Sequence, residues 1–337
     1  MEPCAGIRVF GFNLDEDFQA TGHGSADYIP QNNYCISNIK EKGNTIQTSG
    51  IGIHFSDVQN RVNSSNKITN DNEDSCDDGI AVDTESKNIT IENNTIKDAT
   101  EHGIKLEDGS VAKHITKNHI SNSNVYGIYV YGESKVSGNI EKNVISNTDD
   151  NGIAVGNLSA IKNITGNTIT SANWHGIIVY DESKITGKIS KNKITNSKMN
   201  GIFLTEYSKA DYCVDGVTIK KNVIRTTGHG IHLLHVSNAN VEENTITNTN
   251  KKSQKDGIFV EFGSKNLIIK RNKILDAGRY GIFMKDESIV KKITKNTIKG
   301  AGSFGIGLYE GSQVTGEISA NVISNTKGHG ISVSKKC

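Results

Sequence analysis

Proline occurs only twice in the 337 residues, at Pro3 and Pro30. Beyond residue 30, no strand loses a ladder donor to it. The five cysteines, Cys4, Cys35, Cys76, Cys213 and Cys337, are scattered with no CxxC pair. That pattern carries no zinc signature and no disulfide framework. No apolar run approaches the length of a membrane span. The formal net charge is +1, so the charge excess of a non-specific nucleic-acid binder is missing. Arginine is scarce, and no signal peptide is visible at Met1. Apolar residues at helical spacing, three and four apart over ten or more positions, are also missing.

What the chain has instead is a short phrase repeated. A glycine followed by isoleucine, then any residue, then another aliphatic residue, recurs at Gly50, Gly79, Gly103, Gly127, Gly152, Gly176, Gly201, Gly230, Gly257, Gly281, Gly305 and Gly330. Most steps are 24 or 25 residues. A second line, Asn-x-Ile, runs through Asn94, Asn118, Asn143, Asn167 and Asn192. A third line is a serine seven residues after the glycine, as at Ser110, Ser134, Ser159 and Ser183.

The Ile-x-Val alternation has period two, which is a strand with two side chains on one face. Gly, Asn, Ser and Asp cluster between the apolar pairs, where turns belong. One unit cannot bury its isoleucines alone. Stacked units can, with each strand pairing about 4.8 Å from the same strand in the next coil. The periodicity therefore predicts an all-β parallel solenoid of about twelve coils of 24–25 residues. Stacked asparagines and serines would satisfy the turns rather than serve as nucleophiles.

The strand Gly176-Ile-Ile-Val-Tyr180 and the run Lys191-Asn192-Lys193-Ile194 resemble the repeats of right-handed parallel β-helix proteins, the pectin-lyase-like superfamily. The resemblance covers about residues 44–337 and implies right-handed, single-stranded coils. Residues 1–43 are expected to be an irregular segment or partial cap, with Gly6-Ile-Arg-Val-Phe10 as one more strand. The last unit stops just after its first strand, so further domains or chains are expected to close the C-terminal end. The superfamily includes polysaccharide lyases, glycosidases, uronan epimerases, tailspikes and adhesins, and fold alone does not choose among them. No catalytic motif of the family matches residue by residue, and the Asp-Pro-His-Glu signature of alginate epimerases is absent.

The repeat is broken where the Asn-to-Gly distance lengthens, at Asn66–Gly79 and Asn244–Gly257. The first insertion carries Asp71, Glu73, Asp74, Asp77 and Asp78; the second carries Lys251, Lys252 and Lys255. A third insertion, about Ala210 to Asp215, lies at another corner. The outward side of the Gly-Ile strand is the other candidate surface. It mixes aromatics and charge, and Tyr129, Tyr180, Phe203, His232 and Glu261 are read as substrate-binding residues. Asp77, Asp78 and Asp83 suit a hard cation such as Ca²⁺. Such a cation would neutralise a substrate carboxylate, and Lys105 or Tyr131 would remove the neighbouring proton. Glu107 completes the catalytic set, and with Asp83 it is the alternative carboxylate pair of a hydrolase. His229, His232 and His235 are not a metal triad, because His229 occupies a turn position shared with His102, His175 and His329. The expected function is binding, and processing by lyase or epimerase chemistry, of an acidic polysaccharide outside the cell or at its surface. The rival is a non-catalytic surface stalk or adhesin.

Overall fold

The Gly-Ile alternation folds into strands that stack in register. In the computed structural model, which describes residues 7–9, 40–70, 77–206 and 214–334, Ile104 lies opposite Ile80 on one side and Ile128 on the other. Each coil gives three short strands, for example Ile104–Leu106, Val111–Thr116 and His119–Ser123. Corresponding strands of successive coils pair in parallel, giving three sheets of 13, 14 and 12 strands. The coil is right-handed, the hand that parallel crossovers take. Among the described residues there is no helix, and so none long and apolar enough to cross a membrane.

Inside the coil, apolar side chains stack on their like. One continuous cluster runs from Ile53 to Leu308. The corners are built by side chains that replace ladder partners where the backbone turns. Asn118 Nδ2 donates to Ile91 O at 3.0 Å and to Asn143 Oδ1 at 3.0 Å, and the Asn118 N–H donates to that same Oδ1 at 2.9 Å. The amide ladder extends from Asn44 to Asn321. At the next corner, the Ser110 N–H donates to Ser134 Oγ at 3.1 Å, and the Ser134 N–H to Ser159 Oγ at 3.2 Å. The third corner needs glycine for space. A Cβ on Gly103 would overlap Ile120 Cγ2 and sit 2.6 Å from the Gly127 carbonyl oxygen.

Two details differ from the spacing-based reading. Ile53 and Phe55 pair with Ile80 and Val82, and Gly52 makes the tight approach to Ile68 and Gly79. The first corner glycine is therefore Gly52; Gly50-Ile51 copies the phrase two residues early. The strand expected near residues 6–10 is found as Ile7–Val9, paired with Ile53–Phe55. Lys40–Lys42 opens the second sheet, so sheet pairing starts ahead of residue 44.

The second sheet's inner column reads Glu41, Asn63, Ile91, Ile115, Ile140, Ile164 along the stack. Its first two members are polar and buried, as is Arg61 beside them. Asp71, Glu73, Asp74, all five cysteines and most of the third insertion lie outside the described residues. In the second insertion, Lys251 Nζ pairs with Asp276 at 3.0 Å.

Candidate functional site

The residue just before the corner glycine often leans across to the next coil, and at six positions its side chain accepts the backbone N–H of its counterpart there. Asp78 Oδ1 accepts from the His102 N–H at 3.1 Å, Asn151 Oδ1 from His175 at 2.9 Å, His175 Nδ1 from Asn200 at 3.1 Å, and His229 Nδ1 from Asp256 at 3.0 Å. Asp, Asn and His recur in this position because each can supply that acceptor, while Tyr126, Tyr280 and Phe304 fill it with a ring instead. Burial, reinforced by His232, pushes the His175 imidazole down to about 4. Burial also lowers His229, against the pull of Asp256.

These leaning side chains roof the outer face of the first sheet, whose residues fall into two columns. At the N-terminal coils the face is charged. His54 Nε2 meets Asp83 Oδ2 across coils. Burial works against the Asp83 carboxylate, but His54, Thr84 and Ser56 outweigh it and hold Asp83 below the usual range. Lys105 Nζ lies 3.0 Å from Glu107 Oε1 and 3.9 Å from Asp78 Oδ2. Burial would lower Lys105, yet the carboxylates of Asp78, Glu107 and Glu101 raise it overall. That environment keeps the ammonium charged, which is the wrong state for a base.

In the middle coils the face is aromatic. Tyr126 and Tyr129 have ring centroids 4.6 Å apart, and Tyr129 and Tyr131 are 5.2 Å apart. His102 stacks on Tyr129 at 5.0 Å. The intervening coil presents only Ala154 and Gly156 here, in register with Tyr129 and two residues beyond. Tyr180 folds over Gly156, where a Cβ would strike its ring, and its hydroxyl meets Tyr129 Oη at 3.2 Å. Burial raises all three of Tyr126, Tyr129 and Tyr180 above the ordinary phenol range. These phenols stay protonated and offer donors and faces rather than bases.

Further along, the column closes on itself. Phe203 and His232 stack at 4.5 Å, and His232 and Phe259 at 4.7 Å. His232 Nε2 bonds Glu261 Oε1 at 2.8 Å, and Lys285 Nζ pairs with Glu261 Oε2 at 3.0 Å. Arg279 lies over Phe283 and clamps Asp256 through Nη2 at 2.6 Å. Burial opposes the charged Asp256 and Glu261, but His229 and Arg279, and His232 and Lys285, hold both carboxyls below their usual range.

The expected substrate-binding residues therefore divide. Tyr129 and Tyr180 are half-buried and adjacent in space. Phe203, His232 and Glu261 retain only 6%, 9% and 6% exposure. The expectation of an open face is corrected at these three, because His175 and His229 lie against the stack from the corner. Of the expected catalytic set, Lys105 and Glu107 are ion-paired, and Tyr131 joins the tyrosine group.

The expected calcium ligands do not gather. Asp83 is held by His54, while Asp78 sits with Glu101 and His102, whose ligand atoms all lie within 4.8 Å of one another. One imidazole and two carboxylates could hold a metal ion. That donor set suits a borderline cation better than Ca²⁺, which prefers oxygen alone.

Sequence reasoning left out His102 and Tyr126 as parts of this surface, although both precede repeat glycines. It also left out Trp174, the single tryptophan, which is 53% exposed beside His175. An exposed tryptophan in a chain with one would have been the signal.

The chain matches the family described as right handed beta helix region over residues 19–186, 114–213 and 186–337. No curated protein matches it in sequence. Its structure is similar to the A-module of the mannuronan C-5 epimerase AlgE4 from Azotobacter vinelandii, at 13% identity and TM-score 0.65, covering 89% of each chain. It is similar to a double mutant of the periplasmic alginate epimerase AlgG, at 14% identity and TM-score 0.62, covering 85% of this chain and 74% of that one. A third similar structure is the catalytic domain of a GH87 α-1,3-glucanase in complex with nigerose, at 13% identity and TM-score 0.60, covering 89% and 63%. At these identities the likeness is one of fold.

Proposed function

The chain belongs to the right-handed β-helix family, and from that premise we propose that it binds a polysaccharide along the outer face of the first sheet. The observation that carries this reading is the contiguous patch of Tyr126, Tyr129, Tyr131 and Tyr180 over the small residues Ala154 and Gly156. Sugar rings present apolar C–H faces that stack on such rings, and the hydroxyls find donors nearby. Lys105 and Glu107, one coil away, offer a cation and an anion to hydroxyls or a uronate carboxylate. The similar solved structures that are named for alginate or α-1,3-glucan add support to this choice of ligand. The place of action that fits such a ligand is the cell exterior or surface.

A second reading, processing of a uronan, is favoured by one observation. The metal-capable group Asp78, Glu101 and His102 adjoins Lys105 and the tyrosine patch. A cation there would neutralise a substrate carboxylate and acidify the adjacent carbon. Lys105, held charged, would assist that neutralisation, leaving Tyr131 as the group placed for the proton.

The test is binding of polymannuronate, polyguluronate, polygalacturonate and α-1,3-glucan by affinity electrophoresis and calorimetry, with and without divalent metal. Wild type is expected to bind at least one, and Tyr129→Ala with Tyr180→Ala is expected to weaken it about tenfold, the equivalent of about 1.4 kcal/mol. No binding to any glycan, or equal binding by the double variant, overturns the reading. Absorbance of an unsaturated product reports a lyase, exchange of the C5 proton with solvent deuterium reports an epimerase, and absence of both leaves binding alone.

A further inference from the structure

A net charge of +1 conceals a strong segregation of charge between corners of the coil. Columns of residues at three places around the coil adopt positive φ, a conformation where glycine and asparagine are at ease and other L residues are not. In the third sheet this column is Asn122, Asn147, Ser171 and Asn196, with φ of 55° to 60°, the choice that the backbone favours. At the corner leading out of the first sheet it is acidic, with Glu85, Glu133, Glu182 and Glu287 at 56° to 61°. At the corner before the asparagine ladder it is basic. Lys117, Lys142, Lys191, Lys221, Arg271 and Lys295 all have φ of 56° to 58°.

The backbone does not explain the third column, since the amide column shows what φ alone selects. Only Gly166 and Glu243 interrupt it between residues 117 and 295. All six basic residues are exposed. Among the described residues, Lys117, Lys191 and Lys295 have no ion pair. Around the interruption, Lys220, Lys221, Lys270 and Arg271 surround Glu242 and Glu243, so that segment stays net positive.

We propose that this ridge, between the second and third sheets, is a binding site for a linear acidic polysaccharide, separate from the first-sheet face and independent of the reading given for it. Successive coils set its charges about 4.8 Å apart in one straight line. A polymer with one carboxylate or sulfate per sugar ring matches such a sparse row. Duplex DNA carries a charge about every 1.7 Å and would leave most of its phosphates unmatched. The neighbouring column at the start of the third sheet adds Lys193 and Lys273 among Thr168, Thr245 and Thr297, so the ridge is a narrow basic band along the stack rather than the broad plane that a lipid surface needs.

The test uses the full chain and immobilised polygalacturonate or heparin, with duplex DNA and anionic lipid vesicles as competitors, across a salt series. Wild type is expected to bind the polysaccharide with log affinity falling linearly in log salt. Lys117→Asn, Lys191→Asn and Lys295→Asn together place the residue that favours this backbone, so folding is retained and checked by thermal unfolding. That triple variant is expected to lose at least tenfold in affinity at low salt and to show a shallower salt slope. The triple variant is expected to leave any binding of the neutral α-1,3-glucan unchanged, which separates the charged ridge from the tyrosine face. No binding at low salt, an unaffected triple variant, or tighter binding of DNA or vesicles than of the polysaccharide overturns the proposal.

Discussion

The inner column of the second sheet has two chemistries. From Ile91 through Ile115, Ile140 and Ile164, each residue packs on its like. At the N-terminal coils the same column holds Asn63 and Glu41, and Arg61 is fully buried with Nη1 3.7 Å from Glu41 Oε1. The Arg61 nitrogens and both Glu41 carboxylate oxygens lack hydrogen-bond partners among the described residues. Yet the coil keeps its course there. Asn66 still donates to Asn94 Oδ1 at 3.1 Å and to Glu41 O at 2.9 Å. The difference teaches that the corner ladder holds register, whereas the apolar column supplies stability. One can change while the other persists.

The strongest way to break that comparison is to give a central coil the N-terminal chemistry. Ile164→Asn removes buried apolar volume and leaves an amide without partners between Ile140 and Ile189. The expected loss is roughly 4 kcal/mol or more, from cavity and desolvation together. Urea denaturation followed by circular dichroism measures it. A loss under about 1 kcal/mol would mean that the column is not the source of stability.

Two titrations come next, and they have opposite signs. Burial, against the lowering effects of its own backbone hydrogen bond and of Arg61, pushes Glu41 up to about 7. The folded chain then keeps a proton that the unfolded chain releases near 4.5. The stability it contributes is full below pH 4.5 and is lost as pH rises through 7. Glu41→Gln should match wild type in acid and exceed it above pH 7 by on the order of 3 kcal/mol. His175 runs the other way. Its folded value of about 4 lies below the ordinary 6.5, so stability present above pH 6.5 is lost as pH falls through 4. His175→Asn keeps the acceptor that Asn151 and Asn200 supply in the same column. It should flatten the acid limb by a similar amount. Thermal unfolding at several pH values reads both, and parallel curves for variant and wild type would refute either assignment.

Much of the fold was legible because it is periodic. Gly103-Ile104 and Asn118-x-Ile120 recur, so strand, corner and solenoid follow from spacing. The site was less legible, because its contacts join different coils. Nothing local says that His54 reaches Asp83, or that His229 lies against Phe259. Phe203 and His232 were correctly placed on the outer side of their strands, but their cover comes from neighbouring coils. The buried Arg61 was hidden for another reason. Gly50-Ile51 imitates the repeat and shifts the first unit by two residues, which obscures that Arg61 and Asn63 occupy inner positions.

The smallest expected effect sharpens the comparison from the other side. Asn63→Ile extends the apolar column by one coil, next to Ile91. The amide it removes has an Nδ2 with no partner among the described residues. Its oxygen accepts only a long bond of 3.3 Å from Asn66 Nδ2, which keeps Glu41 O and Asn94 Oδ1 as acceptors. Little is lost, therefore, and buried apolar area is gained, for an expected stabilisation of about 1 kcal/mol. The new side chain also dries the surroundings of Glu41, so the pH at which Glu41 ionises should rise further. A Tm that falls instead, with the Glu41 titration unmoved, would mean that the polar column is a matched set whose members support one another.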